Sequence, residues 1–451
     1  MSTLMVSVSG IRGIVGNGLD PNVLVKYTSA YADLCGPGKI VVGRDSRITG
    51  DMVEKLVVGT LLAKGNDVIT IGICPTPTVL FNVKILRAVG GIAISASHNP
   101  NEWNALKLLN SNGEFLTPEE NQKMLGLLDY SANNYARWDK VGKSVFYSEG
   151  LLNHVEAVLS MPYLDIEGLN KRNFRVLLDC VNGAGSYVME DFLLNLGCDV
   201  IPMNCERTGI FPRLPEPIPE NLTETMRAVK ENKVDLGIVV DPDVDRLVLI
   251  TDKGEPFGEE NTVSQAVRFI LSKQKGNVVV NLSTTRAVND IANEYGCKVF
   301  RSSVGEANVV QKMKEVGAVI GGEGSGGVIF PAVQFGRDAL VGSAIILQQL
   351  LEFGGTISEL KESMPEYSIV KNKIELGKVD HDLIIENLIE TYSAGSINTD
   401  DGLRIDFEDH WVHFRKSNTE PIMRCIVEAE SYSQAEEYSE QYFEQVKKLL
   451  E

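Results

Sequence analysis

NVVVNLS (277–283) is a β-branched apolar run that ends in polar residues, the pattern of a strand buried on both faces. Residues 285–295 then carry helical periodicity, Gly296 breaks it, and GCKVFRSS begins a second strand. Glycine at a helix end followed by a β-branched run stops one element and starts the next. The same order occurs twice earlier. GKIVVGRD (38–45) is followed by a helical stretch over 51–64, Gly65 and GNDVITIG; FRVLLDC (174–180) is followed by a helical stretch, Gly197 and GCDVIPM. Each copy runs through another helix into a third apolar strand: GGIAIS (90–95), LGIVV (236–240) and AVIGG (318–322). Strands alternating with helices of this length predict parallel sheets covered on both faces.

After about residue 366 the pattern changes. GLRIDF, HWVHFRK and EPIMRCIVEA (402–429) read as antiparallel strands, and an acidic amphipathic helix begins near Ser431. A chain of 451 residues is too long for one core. The expected fold is therefore α/β with four domains. Three repeated mixed or parallel α/β domains cover 1–153, 154–253 and 254–365, and an α+β domain covers 366–451. The third strands open into ASHNP, DPDVDR and EGSGG, and ligands of open α/β sheets bind beyond the carboxyl ends of the strands. Three unusual loops at equivalent places predict one shared central cleft.

Bulk composition narrows the class. A net charge of −18 argues against nucleic acid, which demands a basic face. No apolar run approaches membrane-spanning length, and MSTLMVSVSG lacks the basic flank and apolar stretch of a secretory signal. Seven cysteines with no C-x-x-C pair read as buried thiols of a cytoplasmic protein. An anionic substrate would need local arginines to reverse the global field.

DPDVDR (241–246) carries the strongest chemical signal. Carboxylates at i, i+2 and i+4 of an extended segment point the same way. Asp241, Asp243 and Asp245 would repel one another unless a hard cation, Mg²⁺ above all, sat among them. An EF-hand is excluded by Arg246 and Asp252 at the positions that need Gly and Glu. A phosphatase with Asp241 as nucleophile is the rival reading, but its D-x-D motif opens a domain, whereas here it closes a third strand. In ASHNP, Ser97 and His98 are neighbours whose side chains are expected to diverge, which argues against a Ser-His-Asp triad. A serine beside a metal can instead carry a phosphoryl group, with Lys107 as point charge or proton shuttle. Glu323 and Ser325 on a glycine-rich loop suit sugar hydroxyls. RKSNTEPIMR (415–424) packs Arg415, Lys416, Ser417, Asn418, Thr419 and Arg424 into a donor-rich strand-loop-strand able to grip phosphate. SGIRGIVG (9–16) adds Arg12 between glycines.

With these loops in order, the whole chain resembles the α-D-phosphohexomutases, the family of phosphoglucomutase, phosphomannomutase and phosphoglucosamine mutase. The resemblance implies that Ser97 is the phosphorylated residue and that Asp241, Asp243 and Asp245, with Ser97, hold Mg²⁺. It implies catalytic surroundings of His98, Lys107, Arg12 and Arg246. Glu323 and Ser325 would face sugar hydroxyls, while Arg415, Ser417, Asn418, Thr419 and Arg424 would clamp phosphate. The implied reaction passes a phosphoryl group between Ser97 and a hexose monophosphate through a bound hexose 1,6-bisphosphate, which also serves as activator. The S-A-S-H-N-P form leans to phosphoglucosamine mutase, with glucose and mannose phosphates as alternatives. A sugar phosphate is the partner expected, with no nucleic acid or membrane, for a monomer or homodimer. A non-catalytic sugar-phosphate-binding protein is a third reading, opposed by the presence of every charged group the chemistry needs. Two departures stand out. Many relatives have histidine where this chain has Gly327, so a proton-transfer role there falls to Lys107. Ala105 replaces a glycine, which would be strained if that segment were a turn with positive φ. Glu306 in VGEANV (304–309) either meets a substrate group or favours the helix start at 307 through the dipole.

Overall fold

The structure, a computed structural model, describes residues 2–131, 133–375, 381–392, 395–416 and 422–450. Three α/β units follow one another. The second sheet runs in the order Asp199–Met203, Arg175–Asp179, Leu236–Val240, Leu247–Ile250, and the third in the order Val299–Ser302, Asn277–Asn281, Ala318–Glu323, Gly327–Ile329. Within each, the first three strands pair in parallel, as the repeat predicts, and the fourth returns antiparallel. The first sheet has the same kernel in Asp67–Ile73, Lys39–Arg44, Gly90–Ile94 and the antiparallel Trp103–Leu109. It is widened by Gly10–Val15 and Met5–Ser7 on one side and by Ser144–Phe146 on the other.

Of the two forms expected, mixed or parallel, the sheets take the mixed one, and the antiparallel fourth strand has a consequence for the loops. Each third strand turns straight into an antiparallel partner, so the loops ASHNP, DPDVDR and EGSGG are hairpin connections. They are not the strand-to-helix loops of an open parallel sheet. A ladder on both flanks fixes where such a loop begins and ends. Ala105 lies inside the strand Trp103–Leu109, has no positive φ, and is unstrained.

Glycines in the third strands admit helices close to the sheet. A methyl group on Gly91 would stand 2.4 Å from Cγ2 of Val83, and one on Gly321 2.5 Å from Sδ of Met313. The second and third units share one continuous apolar core, in which Val176 and Ile238 join Val278 and Ile320. Helix Ala339–Phe353 runs through it, with every residue from Ala339 to Leu350 buried. The last unit is a five-stranded antiparallel sheet with its own core and the closing helix Tyr432–Leu450. All seven cysteines are free thiols, four buried and three half-buried. Among the described residues, no helix is long and apolar enough to cross a membrane.

Candidate active site

Ser97 follows the strand Gly90–Ile94 and adopts φ +49°, a left-handed conformation uncommon for a residue with a side chain. The loop around it is held from outside by Arg47. This guanidinium donates to the carbonyls of Ser97 (2.6 Å), Asn99 (2.7 Å), Pro100 (2.6 Å) and Trp103 (3.2 Å). Asp45 pairs with it at 3.0 Å and the ring of Phe211 lies beneath it at 4.8 Å. Neither Arg47 nor Asp45 was singled out in the sequence; the doubled charge in RDSR at a strand end was the available signal.

The serine hydroxyl donates to Asp241 Oδ2 at 2.9 Å and stands 3.2 Å from His98 Nδ1. Contrary to the expectation from adjacency, the two side chains converge, because the positive φ at Ser97 turns the backbone between them. Burial, with Arg246 and Arg12 nearby, pushes the imidazole well below its usual pKa, so His98 is neutral.

Asp241, Asp243 and Asp245 do come together, although not on an extended segment. The chain turns at Val244 (φ +62°), with Val244 N–H donating to Asp241 O, and three carboxylate oxygens meet within 4.8 Å. All three residues are buried. Asp243 accepts from Lys107 Nζ at 2.6 Å and Thr76 Oγ1 at 2.5 Å; Asp245 accepts from Lys107 at 3.4 Å and Arg337 at 2.7 Å. One oxygen of Asp243 and one of Asp245 are buried with no hydrogen-bond partner among the described residues. Burial, reinforced by Asp245 and Asp243, drives the Asp241 carboxyl well above its usual range. Burial presses Asp243 the same way, yet Lys107 and Thr76 outweigh it and hold that carboxyl down. Lys107 is in turn kept protonated: burial works against its charge, and Asp243 and Asp245 more than offset it. Two orphaned hard oxygens beside a third carboxylate are the donor set a small divalent cation takes.

Arg337, absent from the sequence-level candidates, is the hub between loops. Its guanidinium reaches Asp245 at 2.7 Å, Glu323 at 2.8 Å and Glu306 at 2.9 Å. Burial pushes Glu306 up to about 7, while Glu323, where Arg337 and Asn281 outweigh burial, is lowered. Glu306 is therefore more than the first acid of its helix. A methyl group on Gly327 would sit 2.2 Å from Arg337 Cδ, so the arginine fills the space a histidine would need.

Ser97, His98, Lys107, Arg12, Arg246, Glu323, Ser325, Arg415 and Arg424 all line one cleft of ≈ 1060 Å³, with the Asp triplet beneath its floor. Arg12, on the strand Gly10–Val15, donates to Asn99 at 2.7 Å. Arg246 lies 4.0 Å from Asp245, and its buried Nε has no hydrogen-bond partner among the described residues. Arg415 pairs with Asp401 at 2.8 Å and lies directly across the ladder from Arg424. Two cations facing each other repel unless an anion lies between them. Ser417, Asn418 and Thr419 lie outside the described residues.

Domain models of the phosphoglucomutase/phosphomannomutase family match in sequence along the chain: alpha/beta/alpha domain I at 4–133, domain II at 152–254, domain III at 261–367 and the C-terminal domain at 368–445. The chain belongs to this family. It is a phosphohexomutase, an isomerase that moves a phosphoryl group within a hexose phosphate. It is 36% identical over 449 residues to a probable phosphoglucosamine mutase of Methanopyrus kandleri, covering 98% of both chains. It is also 36% identical over 441 residues to a phosphoglucomutase/phosphomannomutase of Thermococcus kodakarensis, covering 96% of both. Its fold matches a phosphoglucomutase/phosphomannomutase family protein of Burkholderia thailandensis with TM-score 0.86 at 24% identity, over 98% of each chain. It also matches the N-acetylphosphoglucosamine mutase of Aspergillus fumigatus in complex with GlcNAc-6P and magnesium, TM-score 0.57 at 15% identity, over 98% and 95% of the two chains.

Proposed function

We propose that this phosphohexomutase interconverts glucosamine 1-phosphate and glucosamine 6-phosphate, with Ser97 as the phosphoryl carrier. The contact between the Ser97 hydroxyl and Asp241 carries the reading, because it sets the serine hydroxyl directly against the carboxylate triplet. The sugar assignment draws on the likeness to the probable phosphoglucosamine mutase of Methanopyrus kandleri.

In the forward direction the free 6-hydroxyl of the sugar 1-phosphate attacks the phosphorus on Ser97. The bond from Ser97 Oγ to phosphorus breaks and the bond to the sugar oxygen forms, leaving a hexose 1,6-bisphosphate. The proton lost by the sugar hydroxyl is balanced by the one gained at Ser97 Oγ, where Asp241 accepts its hydrogen bond and neutral His98 stands alongside. Transfer of the other phosphate back to Ser97 then yields the 6-phosphate. Lys107, held protonated, works as a fixed positive charge against the transferring group rather than as a base. Arg12 and Arg246 line the same cleft. Glu323 and Ser325 orient the sugar, and Arg415 with Arg424 holds the phosphate that is not reacting. Asp241, Asp243 and Asp245 would hold Mg²⁺, a reading supported by the buried oxygens of Asp243 and Asp245 that have no partner among the described residues; bound there, it would supply positive charge against the phosphoryl group. The reaction is assigned to a cytoplasmic monomer or homodimer.

Intact mass of freshly purified protein tests the carrier. The expected result is a fraction heavier by one phosphoryl group that disappears in Ser97→Ala together with mutase activity. Phosphate mapped to Asp241, with steady release of free phosphate, would favour the phosphatase chemistry instead. Comparing turnover on glucosamine, glucose and mannose 1-phosphates tests the sugar, and a preference for either neutral sugar would overturn the glucosamine assignment.

A further inference from the structure

We propose that His154 is a positioning residue for the metal loop, acting from behind it through a buried three-residue chain contributed by three domains. Its imidazole is fully buried. Nδ1 lies 2.9 Å from Thr78 Oγ1 and Nε2 lies 2.7 Å from Asp338 Oδ2, with Phe81 packed on the ring at 5.3 Å between centroids. Thr78 and Asp338 are buried as well, and Gln334 gives Asp338 a further donor at 2.9 Å. A carboxylate only accepts, so Nε2 is the donor toward Asp338, while Nδ1 and the Thr78 hydroxyl share the hydrogen bond on the other side of the ring.

Both ends of this chain lead to the carboxylate triplet. Thr78 lies in the first turn of helix Thr76–Ile85, whose first residue donates to Asp243 twice: Oγ1 to Oδ2 at 2.5 Å and N–H to the carbonyl at 2.9 Å. Asn82 of that helix is tied to the carbonyl of Gly150, at the start of the helix that bears His154. At the other end, Asp338 caps helix Ala339–Phe353 through its other oxygen. Its two neighbours in sequence reach the loop directly: Arg337 pairs with Asp245 at 2.7 Å, and Ala339 N–H donates to Val244 O at 3.1 Å. His154 therefore closes a ring around residues 243–245. Without it, the helix that orients Asp243 and the turn that orients Asp245 would have lost the hydrogen-bonded bridge that sets their spacing. Groups hydrogen-bonded directly to metal ligands typically change metal affinity about 10–100-fold, and His154, one layer behind Thr76 and Arg337, is expected at the low end of that range.

The inference rests on Asp241, Asp243 and Asp245 being the metal loop, and the experiment separates the two. Mn²⁺ binding, read by electron paramagnetic resonance, and thermal unfolding are measured on the full chain and on His154→Ala, His154→Gln, Thr78→Val and the core control Val158→Ala. In His154→Ala and Thr78→Val the Mn²⁺ dissociation constant should rise roughly tenfold. Their kcat should fall while KM for the sugar phosphate holds. His154→Gln, whose amide can still donate to Asp338, should recover part of both. Val158→Ala, on the same helix and equally buried, should lower the unfolding temperature with no change in Mn²⁺ affinity. Should His154→Ala fail to fold, Thr78→Val, which exchanges the hydroxyl for a methyl group of similar size, decides. Unchanged Mn²⁺ affinity in the folded variants, or an equal change in Val158→Ala, overturns the positioning role. If the unaltered chain binds no Mn²⁺ at all, the metal-loop reading fails, and this inference fails with it.

Discussion

Arg337 donates to three carboxylates, each belonging to a different stretch of the cleft, and its aliphatic stem occupies the volume above Gly327. Removing it would leave Asp245, Glu323 and Glu306 buried together without their shared counter-charge. Loss of one partner from such a cluster costs about 3–5 kcal/mol. Arg337→Ala should therefore lower stability in urea unfolding by that order and reduce kcat/KM; activity within threefold of the parent would show that the hub is dispensable. Restoring histidine by Gly327→His should fail in the parent, since Arg337 fills the space. At this scale the sequence disclosed the residues whose chemistry is unusual for their surroundings: a serine before histidine, three alternating aspartates, a glutamate among glycines. It did not disclose Arg47, Thr76 or Arg337. Each is an ordinary residue at an ordinary strand or helix end, and only the fold brings it to the loop it serves. The expected divergence of Ser97 and His98 failed for a related reason, since one positive φ reverses the direction in which neighbouring side chains leave the backbone.

The elements were legible where apolar periodicity and glycine punctuation agree, as they do through all three repeats. The antiparallel fourth strands were not. LVLI (247–250) and GVI (327–329) are as short and apolar as a parallel strand, and direction is written in the connection rather than in the strand itself. Helix Ala339–Phe353 is apolar all round because protein covers every side of it, which removes the one-sided stripe that periodicity detects. Close helix-to-sheet contact at Gly321 gives a direct test. Gly321→Val would drive a branched side chain into Met313 and the Val279 carbonyl, and should cost about 1–3 kcal/mol in chemical denaturation. A neutral result would mean that the helix Glu306–Val316 can slide outward without penalty.

Across the whole molecule, the last domain is docked on the third through a polar seam. Arg286 N–H donates to Glu428 at 2.8 Å, Val304 N–H donates to Asp401 at 3.0 Å, and Arg404 donates to the carbonyl of Leu282. His413 sits in that seam between Ser283 Oγ (2.9 Å) and the carbonyl of Asp401 (2.7 Å), and burial lowers its pKa to about 4. A histidine whose folded pKa lies below its unfolded value of about 6.5 contributes stability that is complete above 6.5 and is lost as pH falls through 4. The full contribution is of the order of 3 kcal/mol. Unfolding midpoints should thus decline between pH 6.5 and 4, and His413→Gln should flatten that slope; parallel curves for the two proteins would remove His413 as the cause.

A cleft of ≈ 1060 Å³ lies at or above the upper end of the range for small-molecule sites, about 300–1,000 Å³. Under the proposed reaction a doubly phosphorylated sugar would turn end for end in this space, and the same openness would let it leave. Each escape strands the enzyme with a bare serine that cannot start another cycle. Progress curves begun at high dilution should accordingly slow with turnover number rather than with time, and added 1,6-bisphosphate should restore the initial rate. Room to rotate and leakage of the intermediate are then two readings of the same dimension.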